Sequence, residues 1–467
     1  MHINSFVKRM SNRKLPQAAI DTFAEYYKQL VNGEKGLIPE NQIEPIQKGQ
    51  LDLWQTAPNY VSVGEQALNQ TVILKLNGGL GTTMGLQGPK SLIPVKKQLT
   101  FLDITALQTI NLNKKSDSKV PLILMNSFKT DNLCSQLIQK YSELHGDIPV
   151  SFIQNMFPRV EVSTLGPATF PEDPQQEWNP PGHGDIYTSL MTSGTLDQLI
   201  EHGYTYAFIS NIDNLGASLD IGILGYFISN KLSFMMEVTD RTWMDRKGGH
   251  LARHKEDGRL ILREAAQCPE QDRQSFQDIS RHSYFNTNNL WINLLDLKKL
   301  LEENNNVLNL PMICNRKKID PTDPASKEVF QLESAMGTAI AIFSNASALR
   351  VSRSRFAPVK NCEELLLLWS DYYLLNDDFH IVRNPARQHE NMGIKLDPQY
   401  YSWIEQLKER FPHEAPSLLE CNYLKIIGDI KFGRGVSIKG AVSMCNQKTQ
   451  QIIIPDFTRI ESDLHFE

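Results

Sequence analysis

Cysteine is scarce in this chain of 467 residues, and none of it is clustered. Cys134, Cys268, Cys314, Cys362, Cys421 and Cys445 lie far apart, with no C-x-x-C pair. That spacing argues against a disulfide framework or a zinc site and fits a reducing compartment. Long apolar runs are missing too. The greasiest stretch, "ELLLLW" at 364–369, is far too short to cross a bilayer. The N-terminal "MHINSFVKRMSNRKLPQ" has no apolar run of signal-peptide length. The expectation is a cytoplasmic protein with no membrane partner. Positive charge is not in excess either, since 48 Lys and Arg against 53 Asp and Glu leave a net −5. Without a global basic field a nucleic-acid polymer is not the expected partner, and any cation the protein uses must be placed locally.

Otherwise the composition is that of an ordinary globular protein, 22% charged and 41% hydrophobic, with length enough for two or three domains. In "AAIDTFAEYYKQLV" (18–31), Ile20, Phe23, Tyr27, Leu30 and Val31 share one helical stripe, so residues 1–67 read as a helical segment packing on the domain C-terminal to it. From residue 70 strands and helices alternate. "TVILKL" (71–76), "VPLILMN" (120–126), "VSFIQN" (150–155) and "YTYAFISNID" (204–213) are apolar strands, separated by helix-like "TDNLCSQLIQKYSEL" and "IYTSLMTSGTLDQLIEHG". Thr130 or Asp131 is placed to cap the first of these helices. This alternation predicts an α/β sheet covered on both faces. Ligands gather at the carboxyl ends of such strands, so the loop after Leu76 and "NIDN" after Ser210 are expected at one crevice.

The last eighty or so residues change character. Leu424, Ile430, Val436 and Val442 repeat every six residues, and so do Ile426, Phe432, Ile438 and Met444. Two such ladders, with Gly428 and Gly440 between them, suggest a small hexapeptide β-helix over 386–467. The competing reading is an antiparallel hairpin, although alternation in a hairpin has period two.

The densest signal is "LKLNGGLGTTMGLQGPKS" (74–91), with five glycines from Gly78 to Gly88 and a lysine at its end. A P-loop needs glycine directly before the lysine, but Pro89 intervenes and has no N–H to offer a phosphate. A dinucleotide fingerprint fails because Met84 stands in the sixth place of "GLGTTM". Asp103 lies at the distance a ribose partner needs, yet "LTFLDITALQTI" reads as the start of a helix. The surviving interpretation is a loop whose successive N–H groups form an anion nest, with Lys90 adding a full charge aimed by Pro89.

These residues closely resemble the signature of the eukaryotic-type UDP-glucose pyrophosphorylase (UTP–glucose-1-phosphate uridylyltransferase) family. The resemblance recurs in order: "PPGHGD" (180–185), "NIDN" (211–214), "MEVTDRT" (236–242), "FNTNNLW" (285–291), "QLESAMG" (331–337) and "RFAPVK" (355–360). It implies a Rossmann-like, GT-A-like nucleotidyltransferase with a mixed-sheet core over 68–385 and a left-handed β-helix behind it. It also implies UTP and glucose 1-phosphate as substrates, UDP-glucose and pyrophosphate as products, and Mg²⁺ as cofactor. Catalysis of that reaction comes from alignment and fixed positive charge, so no nucleophile triad is needed.

By motif position, Leu76, Asn77, Gly78 and Gly79 would line the nucleotide, and Lys90 and Lys360 would sit on the reacting phosphates. Gln154 would read the uracil edge, for which an amide offers both donor and acceptor. Gly182 would face the uridine and His183 the sugar phosphate, while Gly249, Glu264 and Asn288 would surround the hexose. Asp213 would hold the metal, with Asn211 hydrogen-bonding nearby; a helix-capping role for Asp213 is the other reading left open. Rival readings are a UDP-N-acetylhexosamine or broad UDP-sugar pyrophosphorylase, and a non-catalytic nucleotide-sugar scaffold. The first rival typically has glutamine and arginine where this chain has Leu80 and Thr83. After "KGAVSM" the tail is short and irregular, so self-association through the C-terminal part is open.

Overall fold

A computed structural model describes residues 2–54, 58–321, 323–387 and 392–467. One ten-stranded mixed sheet organises the interior. Its strands are β1 (Ile43–Pro45), β2 (Thr71–Asn77), β3 (Leu122–Asn126), β4 (Ser151–Ile153), β5 (Tyr206–Asn211), β6 (Phe234–Asp240), β7 (His250–His254), β8 (Leu260–Arg263), β9 (Tyr284–Asn293) and β10 (Ala346–Arg350). Neighbours run β1-β7-β9-β5-β2-β3-β4, while β6 pairs with β9 and β10, and β8 with β7. The run β5-β2-β3-β4 is parallel.

Every residue of β2 is buried, which is why its pattern is continuous rather than alternating. Ile73 packs with Phe101, Leu102 and Ile104 from the helix Phe101–Ser116 on one face. Val72, Leu74 and Leu76 pack with Ile186 and Leu190 from the helix Ile186–Thr192 on the other. Asp103 closes a capping box with Thr100 at the start of Phe101–Ser116, a helical role that excludes it as a ribose partner. The stretch 186–203 holds two helices rather than one, Ile186–Thr192 and Thr195–Glu201, because Gly194 between them takes φ +78°. Thr130 stands at the cap position of the helix Asp131–Ile138 but does not cap it. Its hydroxyl donates instead to the Asn77 carbonyl (2.8 Å), tying that helix to the end of β2.

The N-terminal helices Ile3–Asn12 and Gln17–Val31 bury Phe6, Phe23, Tyr27 and Leu30 against Phe157, Trp178 and Met312. β1, in the same N-terminal stretch, pairs with β7 and so belongs to the central sheet. At the other end the hairpin alternative fails, because the pairing is parallel. β11 (Ser417–Ile427) sets Leu424 beside Val442 and Ile426 beside Met444 of β12 (Ser437–Asn446). β12 in turn sets Ile438 beside Ile460 and Met444 beside Leu464. All eight ladder residues are buried, each contributing on the order of 1.5–3 kcal/mol by the area rule. Gly428 and Gly440 take φ +80° and +74°. Among the described residues no helix is long and apolar enough to cross a membrane.

Candidate active site

The parallel strands end level with one another. Asn77 of β2 pairs with Asn126 of β3, Asn126 with Ile153 of β4, and Leu76 with Asn211 of β5. The glycine loop and "NIDN" therefore leave the sheet side by side, and the ammonium of Lys90 donates directly to the Asp213 carboxylate. Asp213 does not cap the next helix; Asp220 does that for Ile221–Ser229, accepting from the Ile223 N–H (3.0 Å).

The loop closes on itself. The Lys90 N–H donates to the Gly79 carbonyl (3.2 Å) and the Gly81 N–H to the Gly88 carbonyl (3.3 Å). The N–H groups of Met84, Gly85 and Leu86 are also spent on carbonyls inside the loop. Fewer amides are left for an anion than a nest of successive glycines would offer, so more of the positive charge falls to Lys90. Gly79 and Gly88 have open space where a side chain would begin. Gly85 is there because its φ is +75° and a Cβ would strike Trp403 at 2.7 Å.

Lys360 comes from far along the chain to the same place. The Thr83 hydroxyl of the glycine loop donates to its carbonyl (3.4 Å), and the Val359 N–H donates to the Asp213 carbonyl (3.3 Å). Half-buried Glu364 accepts from the Lys360 N–H. Burial pushes the Glu364 carboxyl up, while that N–H and the charges of Lys360 and Lys90 pull it back. One carboxylate thus feels both lysines.

On the other flank, Gln154 follows β4 and its N–H donates to the Asn126 carbonyl (2.8 Å). A Cβ on Gly78 would lie 2.4 Å from the Gln154 amide nitrogen, so loop and amide touch only because position 78 is bare. Leu76 belongs to the core, and the buried Asn77 side chain turns to Asn126 (2.7 Å). Gly182 takes φ +80° with a prospective Cβ 2.4 Å from the Ser334 carbonyl. The neighbouring His183 accepts the Met336 N–H at Nδ1 (3.0 Å), which puts the ring proton on Nε2. Burial holds this imidazole down to about 4, so it is a neutral donor.

The residues assigned to the hexose also meet. A Cβ on Gly249 would lie 2.7 Å from the Glu264 carboxyl. Burial pushes that carboxyl up, opposed by the Lys360 charge and the Asn286 amide. The Asn286 side-chain amide donates to the side-chain oxygen of Asn288 (2.8 Å). Asn288 sits where the β6–β9 register slips, with φ +59°. Lys360 is thus within electrostatic reach of the hexose group and of the glycine-loop group alike. Asn211 ends β5 and its carbonyl accepts from the Asn214 N–H (3.2 Å).

Sequence reasoning missed the layer beneath. Lys75 is buried in β2, donates to Ser210 Oγ (2.7 Å) and the Ala217 carbonyl (2.6 Å), and is brought down to about 7 by burial and by Arg355. Asp185 is buried and accepts from the backbone and side-chain amides of Asn155 (2.6 and 2.9 Å), bracing the segment that carries Gln154. Glu237, fully buried in β6, pairs with Arg355. A charged residue inside an apolar strand was the available signal for Lys75 and Glu237.

A large mixed sheet with a glycine loop, the Lys90–Asp213 pair and the loop that carries Lys360 at its parallel strand ends defines a nucleotidyltransferase-like α/β protein. A sequence profile of the family described as UTP–glucose-1-phosphate uridylyltransferase matches residues 20–439. The protein of that name from Pyrus pyrifolia is 43% identical over 397 residues, which is 84% of this chain and 81% of that one. A mutant UDP-glucose pyrophosphorylase from Leishmania major, solved in complex with UDP-glucose, superposes with TM-score 0.91 at 41% identity, covering 99% of both chains. The structure of a UDP-glucose phosphorylase from Trypanosoma brucei gives a TM-score of 0.89 at 41% identity, covering 100% of both chains. The chain belongs to the UTP–glucose-1-phosphate uridylyltransferase family.

Proposed function

We propose that the protein transfers the uridylyl group of UTP to glucose 1-phosphate, forming UDP-glucose and pyrophosphate reversibly. The observation that carries this reading is the meeting of Lys90, Asp213 and the Lys360 loop at the ends of β2 and β5. The sugar phosphate brings an oxygen already ionised. That oxygen attacks the α-phosphorus as the bond to pyrophosphate breaks, and no proton has to be removed. The barrier is the approach of one anion to another and the charge that grows on the leaving group.

Lys90 and Lys360 neutralise that charge from two sides, and the bare backbone at Gly79 lets the phosphates come close. Gln154 reads the uracil edge beside Gly78, with Leu76, Asn77 and Gly182 lining the nucleoside. His183 donates from Nε2 to the sugar phosphate, and Asn211, Gly249, Glu264 and Asn288 take the hexose.

Among the described residues no group of three or more His, Cys, Asp or Glu could hold a metal. Mg²⁺ takes most of its oxygens from phosphates and water and needs only one or two carboxylates, and the Asp213 carboxylate, already partnered with the Lys90 cation, is of that kind. Asp213 is the carboxylate that would hold it. When bound, the ion supplies positive charge shared among the phosphate oxygens.

The same reading divides the chain into a mainly helical segment (1–67) that lends β1 to the central sheet, a nucleotidyltransferase domain (68–385) and a left-handed β-helix (386–467) available for self-association, in a cytoplasmic enzyme. The parallel registers Leu424–Val442 and Ile426–Met444 support the β-helix.

The test is pyrophosphate release from UTP across a panel of sugar 1-phosphates. Glucose 1-phosphate is expected to be used fastest. Poor turnover of it beside rapid turnover of galactose or N-acetylglucosamine 1-phosphate would reverse the choice of sugar, and no turnover of any would favour a scaffold.

A further inference from the structure

The loop carrying Lys360 is held from below by one buried carboxylate. Glu237 is 0% exposed, and each of its oxygens receives two donors. Oε1 accepts from the Arg355 Nη2 (2.7 Å) and the Trp291 indole (2.9 Å). Oε2 accepts from the Arg355 Nε (2.7 Å) and the Asn289 amide (2.9 Å). Arg355 opens "RFAPVK", so the fork fixes the root of that loop.

Its backbone is then tied to the "NIDN" turn through Asn214, itself 2% exposed. The Asn214 amide donates to the Arg355 carbonyl (3.1 Å), and its oxygen accepts from the Ala357 N–H (2.9 Å). Asn214 also bridges to Pro358, and Gly216 has no room for a Cβ against the Ser354 carbonyl (2.4 Å). Asn214 adjoins Asp213, so one chain of bonds runs from Glu237 through Arg355 to the loop with Lys360 and back to Asp213.

A buried ion pair is weak support for stability, since apolar packing of equal volume often does as well. Fixing a geometry is a better account of a fully satisfied fork at this place. We propose that Glu237, Arg355 and Asn214 are positioning residues that fix the backbone carrying Lys360 beside the Asp213 turn, and that they act on turnover through Lys360. The proposal rests on the reading of Lys360 as a cation on the reacting phosphates.

The test is a double-mutant cycle with Arg355→Lys and Lys360→Ala, read as kcat and KM for both substrates. Lysine keeps the charge at 355 but cannot make the two-pronged contact. Alone, Arg355→Lys is expected to lower kcat roughly 10- to 100-fold, as small misplacements of a reacting group do, with KM changed by less than about twofold. In the Lys360→Ala chain the same change is expected to cost less than about twofold in the remaining kcat.

Equal losses in both backgrounds, or a rise in KM with kcat intact, would overturn the positioning role. An unchanged kcat in Lys360→Ala alone would overturn the assignment of Lys360 and the positioning role with it. Should Arg355→Lys fail to fold, Asn214→Ala enters the same cycle with the same expected outcomes.

Discussion

Lys90 and Asp213 are partners, with side chains only 15% and 16% exposed. Their proposed tasks differ, Lys90 acting on the phosphates of UTP and Asp213 on a metal ion. A triphosphate arriving with its cation replaces both halves of the pair at once, giving Lys90 an anion and Asp213 a cation. Binding of either alone leaves one charge of a half-buried pair without its partner, which is costly.

Nucleotide and metal should therefore bind together. Calorimetry is expected to show UTP affinity falling at least about tenfold in chelator, and pyrophosphate release stopping. Asp213→Asn should lose most of this metal dependence. Full activity in chelator would remove Asp213 from the metal role.

The glycines separate packing from ligand approach. Nothing lies within 4 Å of a Cβ on Gly79, so Gly79→Ala should leave the melting temperature near its starting value. Its KM for UTP should still rise, roughly tenfold or more, because the lost space is the ligand's. Gly78→Ala displaces the Gln154 amide and should also raise the KM for UTP. A Gly79→Ala enzyme with unchanged KM would show that no nucleotide approaches there.

His183 carries a pH signature. The unfolded chain takes up a proton at this residue near 6.5, and the folded chain refuses it until about 4. The unfolded state therefore binds more protons in that window, and stability falls as pH drops through it and is fully retained above 6.5. The melting-temperature advantage of the parent over His183→Gln should shrink between pH 7.5 and pH 5. Its imidazole resonances should show no titration near 6.5. An inflection there would contradict a neutral donor held by the Met336 N–H.

The parts legible in sequence are those written in short stretches. The run of β2 into the glycine loop, the aspartate just past β5, and the six-residue ladders each declare themselves locally. Spacing cannot show that Lys360 shares the crevice, because its neighbours Thr83, Asp213 and Glu264 come from distant segments; only family likeness places it. Sequence overstates the number of free amides in the glycine loop because hydrogen bonds within a loop leave no trace in composition. Glu237 and Lys75 escape a reading of apolar periodicity, which passes over the charges that interrupt it. Thr130 illustrates the limit of capping rules, since a tertiary acceptor, the Asn77 carbonyl, takes its hydroxyl.

The convergence of two lysines on one triphosphate is tested most directly by comparing turnover with binding in Lys90→Ala and Lys360→Ala. Pyrophosphate release and UDP-glucose affinity are measured on the same preparations. Each substitution is expected to cut kcat on the order of 10²- to 10³-fold, as loss of a charge-stabilising donor does, while UDP-glucose affinity changes less than about tenfold. Losses of equal size in turnover and binding would mean that the lysines hold the ground state and not the transition state, and would contradict the mechanism.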